Sequence, residues 1–474
     1  MAAKIVKRNL SPVLSRAIRD HLKNSSSGDS FYAAVAFPYR EDFIAYSGDS
    51  DSESVGYRND VDSDVEAIDE QFYSQNIISL HKLYTGGVSR VSKRQDWVSG
   101  HEYKAWPDAS SHVVVKTYSG GGVQLNVYRC LFSPLSESLI APSETFSSAI
   151  TTADGYVWKY LFSISDAEAL LFMTENWIPV PERVSEEEAK TLAPGSGRYS
   201  QYLSQQNAVY GELYSVEIDS DLVWADSDLG LQRSASGQNV VAKDMSGNSP
   251  TQNAVFTIYH DVASGEIRPK LVSIGKGYIG PVTFVLQSDQ TKTINGLSGY
   301  FPPGVGHGSN IAEEMFVTNV MAVVRNVPEN LIADLTNENP FNVVSLVRNP
   351  VDVSTKAIAT KSSYVACKAI DVSGHTFSPN DLIYTAAGVA FARVVAVNKS
   401  KVYYVNHLEQ GELNIITDSD FVKQNPNASS LTVTAVYNRE VVYNSQSHIL
   451  IDFKPGEIIR SQEQTESFSF ILSF

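Results

Sequence analysis

Asp154-Gly155-Tyr156-Val157-Trp158-Lys159-Tyr160-Leu161-Phe162-Ser163-Ile164 is the stretch that decides how this chain folds. Asp-Gly marks a turn, because glycine takes a positive φ without steric cost. The residues after it alternate at the period of a strand. Tyr156, Trp158, Tyr160, Phe162 and Ile164 share one face, and Val157, Lys159, Leu161 and Ser163 share the other. Five large side chains on one face demand a core, since burying each stabilises the fold by roughly 1.5–3 kcal/mol. A second run, 125–132, has the same character and ends in Val127-Tyr128-Arg129-Cys130-Leu131-Phe132. The pattern predicts two neighbouring core strands joined by the Ser- and Pro-rich loop 133–153. Neither run carries a conspicuous catalytic group, so the block reads as architecture.

Outward from this block the texture stays strand and turn. Towards the N-terminus lie a strand at 113–118, the turn-rich Lys93-Arg94-Gln95-Asp96-Trp97 and Trp106-Pro107-Asp108, and a strand at 31–39. His101-Glu102 does not open a zinc-protease motif, because position 105 is Ala where the second His would stand. Residues 1–26 are basic. Ser11-Pro12 starts a helix with Val13, Leu14, Ala17, Ile18 and Leu22 on one stripe, which reads as packing on a sheet or as a partner-binding arm.

Towards the C-terminus, 166–176 reads as a short helix, 177–181 as extended, 186–190 as one helical turn and 194–197 as a boundary. Strands follow near 209–218, 253–259, 267–274 and 281–287. Gly275-Lys276-Gly277-Tyr278-Ile279-Gly280 fits G-x-G-x-x-G, but a strand follows it, and a dinucleotide site needs a helix N-terminus there. We read a glycine hairpin. Gly304-Val305-Gly306-His307-Gly308-Ser309 sets a His near a Ser, yet no G-x-S-x-G nucleophile elbow and no phosphate-binding P-loop pattern occurs. The segment reads as a loop before a strand at 316–324.

The totals narrow the function. A chain of 474 residues exceeds one ordinary core. Its net charge of −16 is concentrated, because residues 41–70 hold 11 acidic residues against the single Arg58. Broad nucleic-acid or anionic-membrane binding wants cationic surface, so neither is expected. Within that acidic stretch Asp49-x-Asp51-x-Glu53 and Asp60-x-Asp62-x-Asp64 are spaced like calcium-loop ligands. They lack the Gly at loop position six and the Glu at twelve, so we expect a solvated loop leading into a short helix at 60–75 and no metal. Cys130 and Cys367 are too few for a disulfide framework and suit a reducing cytoplasm. No stretch reads as a signal peptide or a membrane span.

The expected fold class is mainly β with a few short helices, a multi-domain β-sandwich or barrel architecture with an inserted small β-barrel. The expected domains are an N-terminal α+β domain at 1–205, a β domain at 206–350, an inserted barrel-like unit at 351–440 and closing strands at 441–474. The inserted unit is marked by short, closely spaced strands at 364–370, 381–384, 389–397, 401–407, 413–417 and 431–437. In the last strand, Phe468, Phe470, Leu472 and Phe474 form an apolar face, expected to pair near 125–132 and 155–164.

Five segments together resemble one family. They are Lys93-Arg94-Gln95-Asp96-Trp97, Val127-Tyr128-Arg129-Cys130-Leu131, Asp154-Gly155-Tyr156-Val157-Trp158-Lys159-Tyr160-Leu161-Phe162, Phe341-Asn342-Val343-Val344-Ser345-Leu346-Val347-Arg348-Asn349-Pro350, and Glu463-Gln464-Thr465-Glu466 running to Phe474. In this order they resemble the baseplate wedge proteins of contractile-tailed, T-even-like bacteriophages, the gene product eight family. The chain is longer than the T-even form, mostly in 205–300 and 351–440. The resemblance implies a homodimeric, mostly β structural subunit that bridges other baseplate wedge proteins in the virion after assembly in the host cytoplasm. It implies no catalytic residues, no cofactor and no metal. Two other classes compete. A host-receptor or glycan-binding tail protein would show fibrous repeats, and none is visible. A glycan-degrading enzyme needs two carboxylates about 5–10 Å apart across a cleft.

Overall fold

In a computed structural model the protein is described for residues 7–23, 28–36, 74, 76–119, 122–219, 234–302, 304–328, 341–406, 420–458 and 465–474. Among the described residues strand outweighs helix, 43% against 12%, and one set of six strands closes into a barrel, so the chain is mainly β with a few short helices. It divides into two compact units. The first comprises Met1–Ala17, Ser89–Val320 and Leu472–Phe474, the second Ile18–Val88 and Met321–Ile471. The acidic stretch 47–70, the helix expected at 60–75 and the strand expected at 413–417 lie outside the described residues, apart from position 74.

The first unit holds an antiparallel sheet in the order His112–Ser119, Gly122–Phe132, Val157–Ile164, Ile150–Thr151. The two runs singled out above are neighbours in it. Their ladder is irregular. Val127 pairs with Phe162 but Tyr128 with Tyr160, which leaves Leu161 as the extra residue of a β-bulge; Cys130 pairs with Trp158 but Phe132 with Val157, which leaves Leu131 extra on the other strand. A bulge resets the alternation of side chains. The single face expected for Tyr156, Trp158, Tyr160, Phe162 and Ile164 is therefore corrected. Tyr156, Trp158 and Tyr160 pack with Tyr103, Tyr128 and Cys130. Leu161, Phe162 and Ile164 pack with Ile178, Met315 and Val317. Val157, with Leu131 and Phe132, joins Val240, Phe256 and Phe284, which belong to the unit's second sheet. That sheet runs Ile267–Ser273, Val255–His260, Gln238–Asp244, Val282–Leu286, Thr293–Ile294.

Local chemistry sets the helices here. Ser165 and Glu168 form a reciprocal capping box on Asp166–Phe172. Ser196 caps Gly197–Gln206, so the Pro-Gly-Ser-Gly run at 194–197 leads into a helix. The N-terminal helix, Lys7–Lys23, begins earlier than Ser11-Pro12 and is turned the other way round. It buries Ser11, Ser15, Arg19 and Leu22, while Val13 and Leu14 are exposed. The Ser15 hydroxyl lies 3.0 Å from the Pro12 carbonyl and 3.1 Å from that of Val317. A small donor lets the helix backbone come close enough to satisfy a buried carbonyl, and a branched apolar side chain would not.

The second unit holds an antiparallel sheet in the order Ser363–Val365, Ile77–Lys82, Phe31–Ala36, Phe341–Arg348, Ser447–Ile458. Its middle strand, FYAAVA, is buried at every residue, as a near-continuous apolar run predicts. The barrel follows the order Lys368–Val372, Lys401–Asn406, Ala390–Asn398, Leu382–Thr385, Phe421–Lys423, Leu431–Tyr437. It closes because the first strand pairs on one side with Lys401–Asn406 and on the other with Leu431–Tyr437. Its core is Ile370, Val372, Ile383, Val394, Val402 and Val433 with Phe377, Phe391 and Tyr404. The one strand expected at 364–370 is two, Ser363–Val365 in the sheet and Lys368–Val372 in the barrel.

The last strand, Thr465–Ser473, neighbours Asn319–Pro328 and not 125–132 or 157–164, whose sheet has no place for it. The expected apolar face survives in part. Phe470 is buried, Phe468 and Leu472 are half-buried and Phe474 is exposed, with Ser467, Ser469 and Ser473 exposed between them. Both cysteines are buried free thiols, and burial pushes Cys367 up to about 12. Among the described residues no helix is long and apolar enough to cross a membrane.

Candidate functional site

Five ionisable side chains converge inside the first unit. The register of the central sheet begins the cluster, because Arg129 and Lys159 are directly paired across neighbouring strands. Two like charges opposite each other destabilise a sheet unless counter-charges meet them. Glu314 and Glu212 supply these. Both act electrostatically on Lys159, and Arg129 acts on Glu314.

The loop before Glu314 explains how it gets there. Gly306 has φ +133°, and a Cβ on it would sit 2.4 Å from the backbone nitrogen of Val209. Gly308 has φ +86°, and a Cβ there would come within 3.0 Å of Ser204 Oγ and 3.3 Å of Lys159 Cε. Only glycine fits either position, and together they turn His307 inward. Asn310 then caps one helical turn, Ile311–Glu314, which brings Glu314 back onto the loop. His307 Nδ1 lies 2.6 Å from Glu314 Oε1, and the Gly308 N–H donates to Oε2 at 2.6 Å. Phe316, just beyond, has φ +49°, an unusual conformation for an aromatic residue. The strand expected at 316–324 starts later, at Asn319.

Aromatic rings wall the cluster. Trp106 and Tyr214 meet His307 edge-on, with centroids 5.6 and 5.8 Å away. Trp106 stacks on Phe316 at 5.1 Å. The Arg129 guanidinium lies 4.8 Å from the Trp106 centroid and 5.7 Å from that of Phe316, and its Nη2 donates to the Asp108 carbonyl at 2.9 Å. Lys159 Nζ donates to the Ser147 carbonyl.

The charges respond to this setting. Burial pushes the Glu314 carboxyl up, but His307, Arg129 and the Gly308 N–H outweigh burial and hold it below the usual value. Burial raises Glu212, against the opposing pull of Lys159 and the Tyr214 hydroxyl. Burial lowers Lys159, against the two carboxylates. These are the opposed effects of desolvation and of neighbouring charge.

A His–Glu pair beside a lysine has the parts of a general base with its orienting acid. Its surroundings fit a different use. Arg129 and Glu314 are 0% exposed, His307 3%, Lys159 4% and Glu212 7%. Ser309, the neighbouring hydroxyl, is buried too. What the arrangement does is tie together the chain at 106–108, 129, 159, 212 and 307–314. Breaking one partner of such a buried network costs about 3–5 kcal/mol.

The features weighed in the sequence fall elsewhere or change meaning. His101 and Glu102 are exposed, with the His101 ring against Tyr103. The glycine segment 275–280 does not make the expected hairpin, because the strands on either side of it, Ile267–Ser273 and Val282–Leu286, are not neighbours in their sheet; its Ile279 and Gly280 N–H groups donate to Asp244 Oδ2 at 2.7 and 3.2 Å, where a dinucleotide site would offer them to phosphate. His307 belongs to the cluster and not to a plain loop. Arg129, Lys159, Glu212 and Glu314 were not legible as a group. The available signal was a lone cation inside each of two largely apolar strands. Among the described residues no group of three or more His, Cys, Asp or Glu side chains is placed to hold a metal ion. No protein-family model matches the chain, and no curated protein matches it.

Proposed function

We propose that this chain is a structural subunit of a phage tail baseplate wedge, acting as a homodimer that bridges other wedge proteins and performs no catalysis. The observation that carries this reading is where the five family-like segments fall. Val127-Tyr128-Arg129-Cys130-Leu131 and Asp154–Phe162 in sequence form one buried, paired strand block. The segment 341–350 supplies an inner strand of the five-stranded sheet, and the final segment supplies the last strand. Motifs that sit in core ladders answer to architecture, whereas catalytic and ligand-binding motifs concentrate on loops. The sealed ionic cluster supports the same reading, since it joins chain segments and is screened from solvent. A mainly β subunit built from several sheets also suits a protein that presents surfaces to several neighbours.

Two measurements test the proposal. Light scattering on the purified chain should give twice the 52.0 kDa of one protomer. Cross-linking mass spectrometry on intact tails should join it to other baseplate subunits. A monomer at micromolar concentration together with no cross-link to any baseplate protein would overturn the reading. A two-fold axis would make the dimer contact self-complementary.

A further inference from the structure

The first unit holds a cleft of about 520 Å³ beside its second sheet. Three stretches of chain frame it, 210–211, 278–282 and 297–302. Each of them is pinned. The Tyr278 N–H donates to the Gly211 carbonyl at 3.2 Å. Gly211, at φ +68°, comes so close that a Cβ on it would stand 2.1 Å from the Tyr278 carbonyl oxygen. Asp244 holds the Ile279 and Gly280 N–H groups. The strand Leu297–Gly299 is paired with Val216–Ile218, and Trp106 Nε1 donates to the Phe301 carbonyl at 3.0 Å. The cleft is therefore preformed.

What this rigid frame presents is aromatic and exposed. Tyr210 is 57% exposed and Tyr300 37%, and both line the cleft with the exposed Ile279. Phe301 continues the wall half-buried, its ring 5.9 Å from that of Tyr278. Tyr278 is fixed in turn, because its hydroxyl donates to the Ala242 carbonyl at 3.0 Å and accepts from the Ala254 N–H at 2.9 Å. Tyr300 is held by Glu217, whose carboxylate draws its hydroxyl from the position that pairs with Ser298 across the two strands. Ser298 is exposed and adds a further hydroxyl to the lining. Large apolar side chains grouped around one depression mark a surface that binds something. A cleft of this volume lies in the usual range for small-ligand sites, about 300–1,000 Å³, and combines an apolar lining with a few polar groups as such sites do.

We propose that the cleft binds one pyranose unit of a neutral glycan. A pyranose carries C–H bonds over the faces of its ring and hydroxyls around its rim. The C–H face packs on an aromatic ring, whose face is the negative side of its quadrupole. The rim calls for groups that both donate and accept, as the hydroxyls of Tyr210, Tyr300 and Ser298 do. A quaternary ammonium would also favour the rings, but it has no use for the hydroxyls. The pinned frame suits a ligand held by weak contacts, because no loop has to be ordered when it binds. This site does not depend on the scaffold reading above.

The test is saturation-transfer difference NMR on the full chain. The probes are the methyl glycosides of glucose, galactose, mannose and N-acetylglucosamine, with choline as the cationic alternative and an oligoproline peptide as the proline-rich one. At least one glycoside is expected to bind, with transfer strongest at the C–H protons of one ring face and an affinity that does not change with salt. Tyr210→Ala is expected to weaken it by about tenfold or more, and Tyr210→Phe, which keeps the ring, by less. Tyr118→Ala, an exposed tyrosine of the strand His112–Ser119, should leave binding unchanged, and all variants should keep the parental circular dichroism spectrum. Should Tyr210→Ala disturb the fold, Ser298→Ala, which removes one exposed hydroxyl from another wall, carries the test with a smaller loss. The proposal is overturned if none of the glycosides binds, if choline or oligoproline binds more tightly than every glycoside, or if the variants of the lining bind like the parent.

Discussion

The barrel of the second unit and the ionic cluster of the first are both closed to water, and they are built on opposite terms. The barrel core is apolar except for the Tyr404 hydroxyl. The space around Lys159 holds two cations, two carboxylates and an imidazole. The apolar core tolerates loss in proportion to the volume removed. The ionic one depends on which partner is removed, because a buried charge left alone cannot be rehydrated. The difference can be tested by removing single groups from each.

The largest effect is expected from Glu314→Ala. It takes away the carboxylate that meets His307, the Gly308 N–H and the charge of Arg129, and should cost about 3–5 kcal/mol. Urea unfolding followed by tryptophan fluorescence reads this unit selectively, since every tryptophan of the chain lies between residues 97 and 224. A loss below about 1 kcal/mol would mean that the cluster is a set of independent surface-like pairs.

Next comes Ile383→Ala in the barrel. This side chain is fully buried among aliphatic neighbours, so about 2–5 kcal/mol should be lost. Ile370→Val, a single methylene, should cost about 0.5–1.5 kcal/mol. Both losses should show in circular dichroism, leave the tryptophan signal of the first unit in place, and be the same at acid and neutral pH. A cost for Ile383→Ala that grew with acid would break the contrast.

Acid should separate the two regions. Glu314 is held below its ordinary value of 4.5. A depressed carboxyl stabilises the fold above its unfolded value, and that stabilisation is lost as pH falls through its lower folded value. Each unit of depression corresponds to about 1.4 kcal/mol. The gap in stability between the parent and Glu314→Gln should therefore narrow as pH drops below 4.5. A gap that stayed constant would show that the carboxylate acts only through its shape.

How far the sequence revealed these regions follows from the same contrast. The pairing of 125–132 with 155–164 was legible because Tyr156, Trp158 and Tyr160 repeat at the period of a strand beside a second run of the same kind. The barrel was legible because short apolar strands alternate with turns such as Asn398-Lys399-Ser400, and its core needs no partner beyond its own hydrophobicity. The bulges at Leu161 and Leu131 were not legible, since register belongs to two strands at once and neither sequence contains it. For the same reason Arg129 and Lys159 looked like unrelated residues until the ladder set them opposite each other. Glu314 reaches them only through the backbone turns at Gly306 and Gly308. The N-terminal helix misled for a different reason. Its apolar stripe predicted the buried face, but the carbonyl of Val317 needed a donor at close range, and Ser15 supplied it.

The smallest effect is expected at Glu212, inside the same cluster as the largest. Burial raises this carboxyl, so its charged form is already disfavoured in the folded state. A raised group contributes stability that is fully present below its unfolded value and is lost as pH rises through its folded value. The parent thus carries a penalty at neutral pH that a neutral isostere removes. Glu212→Gln keeps the shape and an oxygen that can accept from the Tyr214 hydroxyl, whose partner Glu212 is. What it loses is the attraction to Lys159, which opposes the burial penalty without overcoming it. The two effects offset each other, and the change should cost less than about 1 kcal/mol near neutrality. Relative to the parent, the variant should also gain stability as pH rises from acid to neutral, the opposite trend to Glu314→Gln. If Glu212→Gln proved as damaging as Glu314→Ala, or followed the same pH trend, the two carboxylates would be equivalent counter-charges, and the distinction between them would fall.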